Sequence, residues 1–216
     1  MIYLLSDLHA GGEESINGLK SYLETAGEND LLILLGDIGL KLEDTPENRA
    51  FDEFFLSIQK NIAFIDGNHE NFDYLYSFPE EDWNGGRVHR LTDHIVHMKR
   101  GHIFALQGKT FLTFGGCISS SRWKDRGLWY PQEEPTEEEY ALLHQNLEKR
   151  GHKVDYILTH KYENGRGTQT PKLRELAEYL DANVEFKMWY AGHWHTTEAI
   201  DEKHRLIFDV PVPVAE

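Results

Sequence analysis

The stretch "DLLILLGDIG", residues 30–39, carries five consecutive apolar residues, Leu31 to Leu35, and then breaks at Gly36-Asp37. A strand with one wet face would alternate apolar and polar positions. An unbroken apolar run of this length predicts a strand covered on both faces, as in parallel sheets flanked by helices. The flanks agree. "IYLLS" (2–6) is a second short apolar run, and Ile16, Leu19, Leu23 and Ala26 recur at helical spacing over 15–26. Downstream, Pro46 suits a first helical turn, and Phe51, Phe54, Phe55 and Ile58 make an apolar stripe over 46–60. "NIAFIDGNHE" (61–70) is another buried strand breaking into a loop. Strands separated by helices predict right-handed βαβ units around a largely parallel sheet.

The second half changes character. From 87 to 115, short β-like runs are broken by "KRG" (99–101) and "QGK" (107–109), which predicts antiparallel hairpins. A polar, aromatic loop follows, "CISSSRWKDRGLWYPQEEP" (117–135). Thr136 with Glu139 three residues on marks a helix start. A strand over 154–160, a helix from Thr170-Pro171 to about 181, a strand over 186–195 and two short closing strands complete the reading. With no repeat or linker, residues 1–216 read as one domain, with 117–135 as a lid loop.

Composition narrows the function. The lone Cys117 excludes an intrachain disulfide and suits a reducing, cytoplasmic setting. No apolar run reaches 18 residues, and "MIYLLSDLH" lacks the basic start of a signal peptide. The formal net charge of −15 argues against extended nucleic acid as a partner.

Where each buried run ends, polar residues follow: Asp7 and His9, then Asp37, then Asn68, His69 and Glu70, then His160, then His193 and His195. In open α/β sheets, ligands bind beyond the carboxyl ends of strands. Imidazole with carboxylate suits Mn, Fe or Zn. The set exceeds the needs of one ion, but two ions sharing a carboxylate would use it. Two metals about 3.5–4 Å apart can deprotonate a water between them and neutralise a phosphoryl group. The i, i+2 spacing of Asp7/His9 and of His193/His195 turns each pair to one side if the chain stays extended.

The motifs "DLH", "GD", "GNHE", "TH" and "GHWH", in this order from residue 7 to 195, resemble the calcineurin-like metallophosphoesterase superfamily. The resemblance implies a four-layer α/β/β/α sandwich. It implies one metal on Asp7, His9, Asp37 and His195, and a second on Asp37, Asn68, His160 and His193, with Asp37 bridging. His69 would be the general acid for the leaving oxygen, a task suited to a group titrating near neutrality. The Ser/Thr protein phosphatases of this superfamily continue "GDxxDRG". Here the run is "GDIGLKL", with Leu40 in place of the acid and Lys41 in place of the arginine. His69 therefore lacks an assigned carboxylate partner, with Glu70, Glu43 and Asp44 as candidates.

Arg122, Lys124 and Arg126 in the lid loop, and Lys161 and Arg166 beyond His160, are candidate phosphate contacts. Trp123 or Trp129 could stack on a base. His89, His94, His97, His102, His144, His152 and His204 read as surface or hairpin residues, and Cys117 as a small buried hydrophobe. The expected activity is hydrolysis of a phosphorylated small molecule or nucleotide. The alternatives are a nucleotide or dinucleoside-polyphosphate hydrolase, a nuclease, or a non-catalytic scaffold keeping this fold for protein contacts.

Overall fold

A computed structural model describes residues 1–162 and 170–215. The elements run β1 (Ile2–Leu5), α1 (Glu13–Thr25), β2 (Leu31–Leu34), α2 (Pro46–Leu56), β3 (Asn61–Phe64), α3 (Phe72–Leu75), β4 (Glu80–Trp83), β5 (Gly86–Arg90), β6 (Ile95–Met98), β7 (Ile103–Leu106) and β8 (Lys109–Phe114). There follow α4 (Ser121–Asp125), a 3₁₀ turn over Pro131–Glu133, α5 (Glu137–Lys149), β9 (Tyr156–Thr159), α6 (Pro171–Asn183), β10 (Met188–Ala191), β11 (Glu198–Ala199), β12 (His204–Leu206) and β13 (Val212–Pro213).

Two mixed sheets form, in the orders β13-β1-β2-β3-β6-β5-β4 and β11-β12-β10-β9-β8-β7. β1, β2, β3 and β6 run parallel in the first sheet, and β8, β9, β10 and β12 in the second. Three apolar layers show how the sheets stack. Leu4, Ile33, Ala63 and Met98 of the first sheet pack against Phe104, Phe111, Tyr156 and Tyr190 of the second. The other face of the first sheet offers Leu5, Leu32, Leu34 and Phe64 to Leu19 and Tyr22 of α1 and Phe51 and Phe55 of α2. The far face of the second offers Leu112, Phe114, Ile157 and Trp189 to α5 and α6. The result is the four-layer α/β/β/α sandwich. Every parallel strand is covered on both faces, which is why the apolar runs do not alternate.

The elements are shorter than the apolar runs. β2 stops at Leu34, although Leu35 is fully buried, because the chain turns there to bring Asp37 inward. α2 stops at Leu56, since β3 begins only five residues on. β4, "EEDW", lies at a sheet edge and is too polar to read as a strand. It joins β5 through Asn84-Gly85, both at positive φ (48° and 94°), a turn that suits a tight hairpin. The loop over 117–135 carries α4 and the 3₁₀ turn, and three short strands follow β10. The start of α5 follows expectation: the Thr136 side chain accepts from Glu139 N, and Glu139 accepts from Thr136 N at 2.8 Å.

A candidate binuclear metal centre

The carboxyl ends of β1, β2, β3, β9 and β10 meet at one rim. There the seven predicted ligand residues converge, although not by the extended backbone the spacing suggested. Asp7, His9, Asp37, His193 and His195 all have positive φ, from 45° to 70°. The strands end at Leu5 and Ala191, and the ligand pairs lie beyond them in left-handed turns. Asp and His tolerate this region better than most residues.

Two clusters result. In the first, Asp7, His9 and His195 present ligand atoms within 4.8 Å of one another. His9 Nε2 and His195 Nε2 are 2.9 Å apart, and they lie 3.7 and 3.4 Å from Asp7 Oδ1. The His195 ring stacks on Phe208, with centroids 4.8 Å apart, a support that no sequence pattern announced. In the second, Asp37, His160 and His193 converge in the same way. His160 Nδ1 lies 2.7 Å from the Leu35 carbonyl, which can only accept, so Nε2 is left to face Asp37 and His193.

Asp37 joins the two. Its Oδ2 faces His9 at 3.7 Å and its Oδ1 faces His160 at 3.3 Å. Oδ1 also accepts the backbone N–H groups of Asn68 and His69, both at 2.8 Å. Burial opposes charge on Asp37, but His160, His69 and His9 outweigh it and hold the carboxyl well below its usual range. Asp7 is likewise held low: burial opposes its charge, and the neighbouring His195 and His9 rings prevail. Burial also opposes charge on His160, yet Asp37 pushes that ring up to about 10. Burial, reinforced by the charge of His160, drives His193 down to about 3. These opposite shifts mark buried carboxylates and imidazoles crowded together.

Two details fit a pair of metal ions. Asp7 Oδ1 and Asn68 Oδ1 are buried and have no hydrogen-bond partner among the described residues. A buried orphan acceptor is costly, and a cation satisfies it. The surrounding backbone is also packed close. A Cβ on Gly36 would lie 2.5 Å from His160 Nδ1 and 2.8 Å from Gly67 N, and one on Gly192 would collide with Ser6 Oγ. Beside the first cluster, a groove of about 320 Å³ opens between Asp7, His9, Ser15, His195 and Phe208.

His69 sits at the edge of this rim. Its ring meets His9 edge-on at 5.1 Å and Trp123 edge-on at 4.2 Å. It also lies within ligating reach of His9 and Asp37. Burial lowers its pKa, against the pull of Asp37. None of its expected carboxylate partners reaches it. Glu70 turns back to accept from Ile38 N, Gly67 N and Gly39 N, which ties the second and third motifs together. Glu43 pairs with Arg126, and Asp44 with Arg49.

The chain's basic candidates are partly engaged. Arg126 Nη2 lies 2.6 Å from Glu43 Oε1, with its guanidinium over Trp123. Lys124 Nζ stands 3.9 Å from the Trp129 ring centroid, and Arg122 is exposed. Lys161 is buried beside Trp194. Arg166 lies outside the described residues. Cys117 is buried as expected, with Sγ 4.0 Å from His193 Nε2.

Three histidines read as surface or hairpin residues are buried, His89 and His97 on the antiparallel pair β5–β6 and His204 on β12. His97 Nε2 faces Asp66 at 3.2 Å, and His97 Nδ1 faces His89 Nδ1 at 3.1 Å. His204 lies 2.9 Å from both Asp201 and Asp181. Their positions on short, polar-looking strands hid this. Arg100, also buried, donates through Nε to Asp66 Oδ2 at 2.8 Å and through Nη2 to the Gln132 carbonyl at 2.8 Å. It thereby ties the end of β3 to the loop over 117–135.

The sequence profile of the calcineurin-like phosphoesterases matches residues 1–197. The chain belongs to this family. A comparison with curated proteins finds no match. As a calcineurin-like phosphoesterase it falls in a family of metal-dependent enzymes acting on phosphoesters, which agrees with the His/Asp clusters described above. Among the described residues, no helix is long and apolar enough to cross a membrane.

Proposed function

We propose that this chain is a two-metal phosphoesterase that hydrolyses a phosphorylated small molecule or nucleotide. The observation that carries the reading is Asp37, whose two carboxylate oxygens face separate histidine clusters 3.7 and 3.3 Å away. Asp7, His9, Asp37 and His195 would hold one ion. Asp37, Asn68, His160 and His193 would hold the other. Mn, Fe and Zn all suit this donor set. Bound there, the ions supply an activated water and neutralise phosphoryl charge.

The chain's own residues do the rest. The Leu35 carbonyl fixes the His160 tautomer, and the Asn68 and His69 amides hold Asp37 in place. His69, at the rim and out of both four-residue sets, delivers a proton to the leaving oxygen. Arg122, Lys124, Arg126 and Lys161 are the groups proposed to meet the phosphate. The net charge of −15 disfavours a long polynucleotide substrate. A cytoplasmic setting belongs to the same reading, since the lone Cys117 forms no disulfide.

The test is a panel of monoesters, diesters, nucleotides and dinucleoside polyphosphates, assayed with Mn(II) added. Turnover of at least one substrate, abolished by chelator and restored by metal, is expected. A metal-loaded chain that turns over none of them would make it a binding scaffold.

A further inference from the structure

The loop after β8 reaches the second cluster through a side chain that the ligand motifs do not include. Ser119 is 5 % exposed, and its Oγ accepts from Asn68 Nδ2 at 3.1 Å. The same Oγ lies 3.3 Å from the Asn68 backbone carbonyl. Behind it stands Glu133, fully buried, whose Oε2 accepts from Ser119 N at 2.7 Å. Glu133 is set by the 3₁₀ turn Pro131–Glu133, and the preceding carbonyl, that of Gln132, is gripped by Arg100. Asn68 Oδ1, at the opposite end of the same amide, has no partner.

We propose that Ser119 is a positioning residue for the second metal site: its hydroxyl fixes which end of the Asn68 amide faces the ion. The inference rests on the two-metal reading above. The two ends of an Asn side chain are nearly the same shape but opposite in hydrogen-bonding character. A cation needs Oδ1, and an amide turned the other way would point two N–H donors at it. Hydrogen bonding decides between the two orientations. A hydroxyl has one proton, and the Asn68 backbone carbonyl, 3.3 Å from Ser119 Oγ, is placed to accept it. With that proton engaged, Ser119 Oγ offers Asn68 only lone pairs. Those lone pairs select Nδ2, and Oδ1 is left turned inward. Glu133 fixes the Ser119 backbone, so the acceptor stays where Asn68 needs it. The lid loop thus contributes to metal affinity without supplying a ligand.

Outer partners of metal ligands typically change metal affinity or activity by about 10–100-fold. The experiment titrates Mn(II) into the metal-stripped full chain by calorimetry, which reads each site separately. Ser119→Ala should weaken one of the two sites by about 10–100-fold and leave the other near its wild-type affinity. It should lower kcat at fixed, sub-saturating Mn(II) with little change in KM, and excess Mn(II) should restore it. In an Asn68→Ala background, Ser119→Ala should add almost nothing, because the amide it orients is gone. The pair Ser119→Thr and Ser119→Val separates hydroxyl from volume, since the two side chains are nearly the same shape. Thr should keep the affinity and Val should lose it. Equal losses in Thr and Val would overturn the assignment, as would additive losses with Asn68→Ala or unchanged affinity in both Ala and Val. A wild-type chain that takes up only one ion would instead defeat the two-metal reading itself, so the two failures are told apart.

Discussion

The Trp123 indole meets the His69 imidazole edge-on, with centroids 4.2 Å apart and planes at 73°. Trp123 therefore braces the proposed general acid, to which none of Glu70, Glu43 and Asp44 turns. His69→Asn should keep both ions and cut the rate on poor leaving groups by about 10²–10⁴-fold. On p-nitrophenyl phosphate the loss should be smaller, because that leaving group hardly needs a proton. Trp123→Ala should misalign the ring and cost up to about 10²-fold with metal content intact. Elemental analysis beside a leaving-group series decides. Loss of an ion in His69→Asn would make His69 a ligand, and a uniform loss across leaving groups would mean it positions phosphate.

Asp37 faces both clusters, so its removal should not act on one ion alone. Asp37→Asn should weaken both sites together, whereas His193→Ala and His195→Ala should each weaken one. Loading with metal should raise the melting temperature, by the equivalent of about 2.7 kcal/mol at a hundred times Kd. Elemental analysis at saturating Mn(II), together with melting curves with and without chelator, reads both effects. At most one bound ion at saturation in the wild type would sink the bridging role.

The cations of the loop over 117–135 divide by partner. Arg126 is paired with Glu43 at 2.6 Å, and Lys124 lies over Trp129. The Arg126–Glu43 pair is solvent-exposed, so breaking it should cost at most about 1 kcal/mol of stability. If these cations turn to substrate, the triple variant Arg122→Ala, Lys124→Ala, Arg126→Ala should raise KM for anionic substrates and leave kcat and metal content nearly unchanged. Steady-state kinetics on the best substrate measure this, and unchanged KM would make the loop a purely structural element.

Arg100 and Asp66 form a buried pair in which each side chain is 2 % exposed or less. Removing Arg100 takes the fixed positive charge from the buried Asp66 and leaves it facing the His97 imidazole. Arg100→Ala should cost about 3–5 kcal/mol. Urea unfolding of the metal-free chain gives the number, and a loss below about 1 kcal/mol would mean water reaches Asp66.

His102 lies just before β7, at a distance in sequence from the proposed metal ligands. Burial, with Lys99 nearby, drives its pKa down to about 4. The unfolded chain, with an ordinary value near 6.5, binds a proton that the folded chain refuses. Stability should therefore be level above pH about 6.5 and fall as pH drops toward about 4. In the presence of chelator, His102→Gln should lose less melting temperature over that window than the wild type. Parallel curves for the two chains would show that His102 titrates normally.

Much of this was legible in the sequence because two patterns carried it. Apolar runs without alternation marked β1, β2, β3, β9 and β10, and the residues ending each run supplied the rim. What stayed hidden depended on long-range partners. Ser119 and Glu133 lie within a polar loop, and nothing in that loop's own spacing points to Asn68, some fifty residues upstream. His89 and His97 sit on short strands whose burial comes from sheet order. The convergence of Asp7 with His9 was expected for the wrong backbone. Side-chain type and spacing were right, but β1 ends at Leu5, where its apolar run ends, and Asp7 and His9 lie beyond it at positive φ rather than on an extended chain.

That left-handed backbone also limits how the centre could be altered, by selection or by design. At Asp7, His9, Asp37, His193 and His195 the chain conformation and the donor chemistry favour the same few residue types. Asp, Asn and His satisfy both demands. A longer carboxylate or a thiolate, introduced to recruit a different ion, meets a φ that disfavours it before any metal binds. Changes in metal preference should therefore accumulate in the surrounding residues rather than among the ligands, so that lineages with the same donors diverge in the residues that support them.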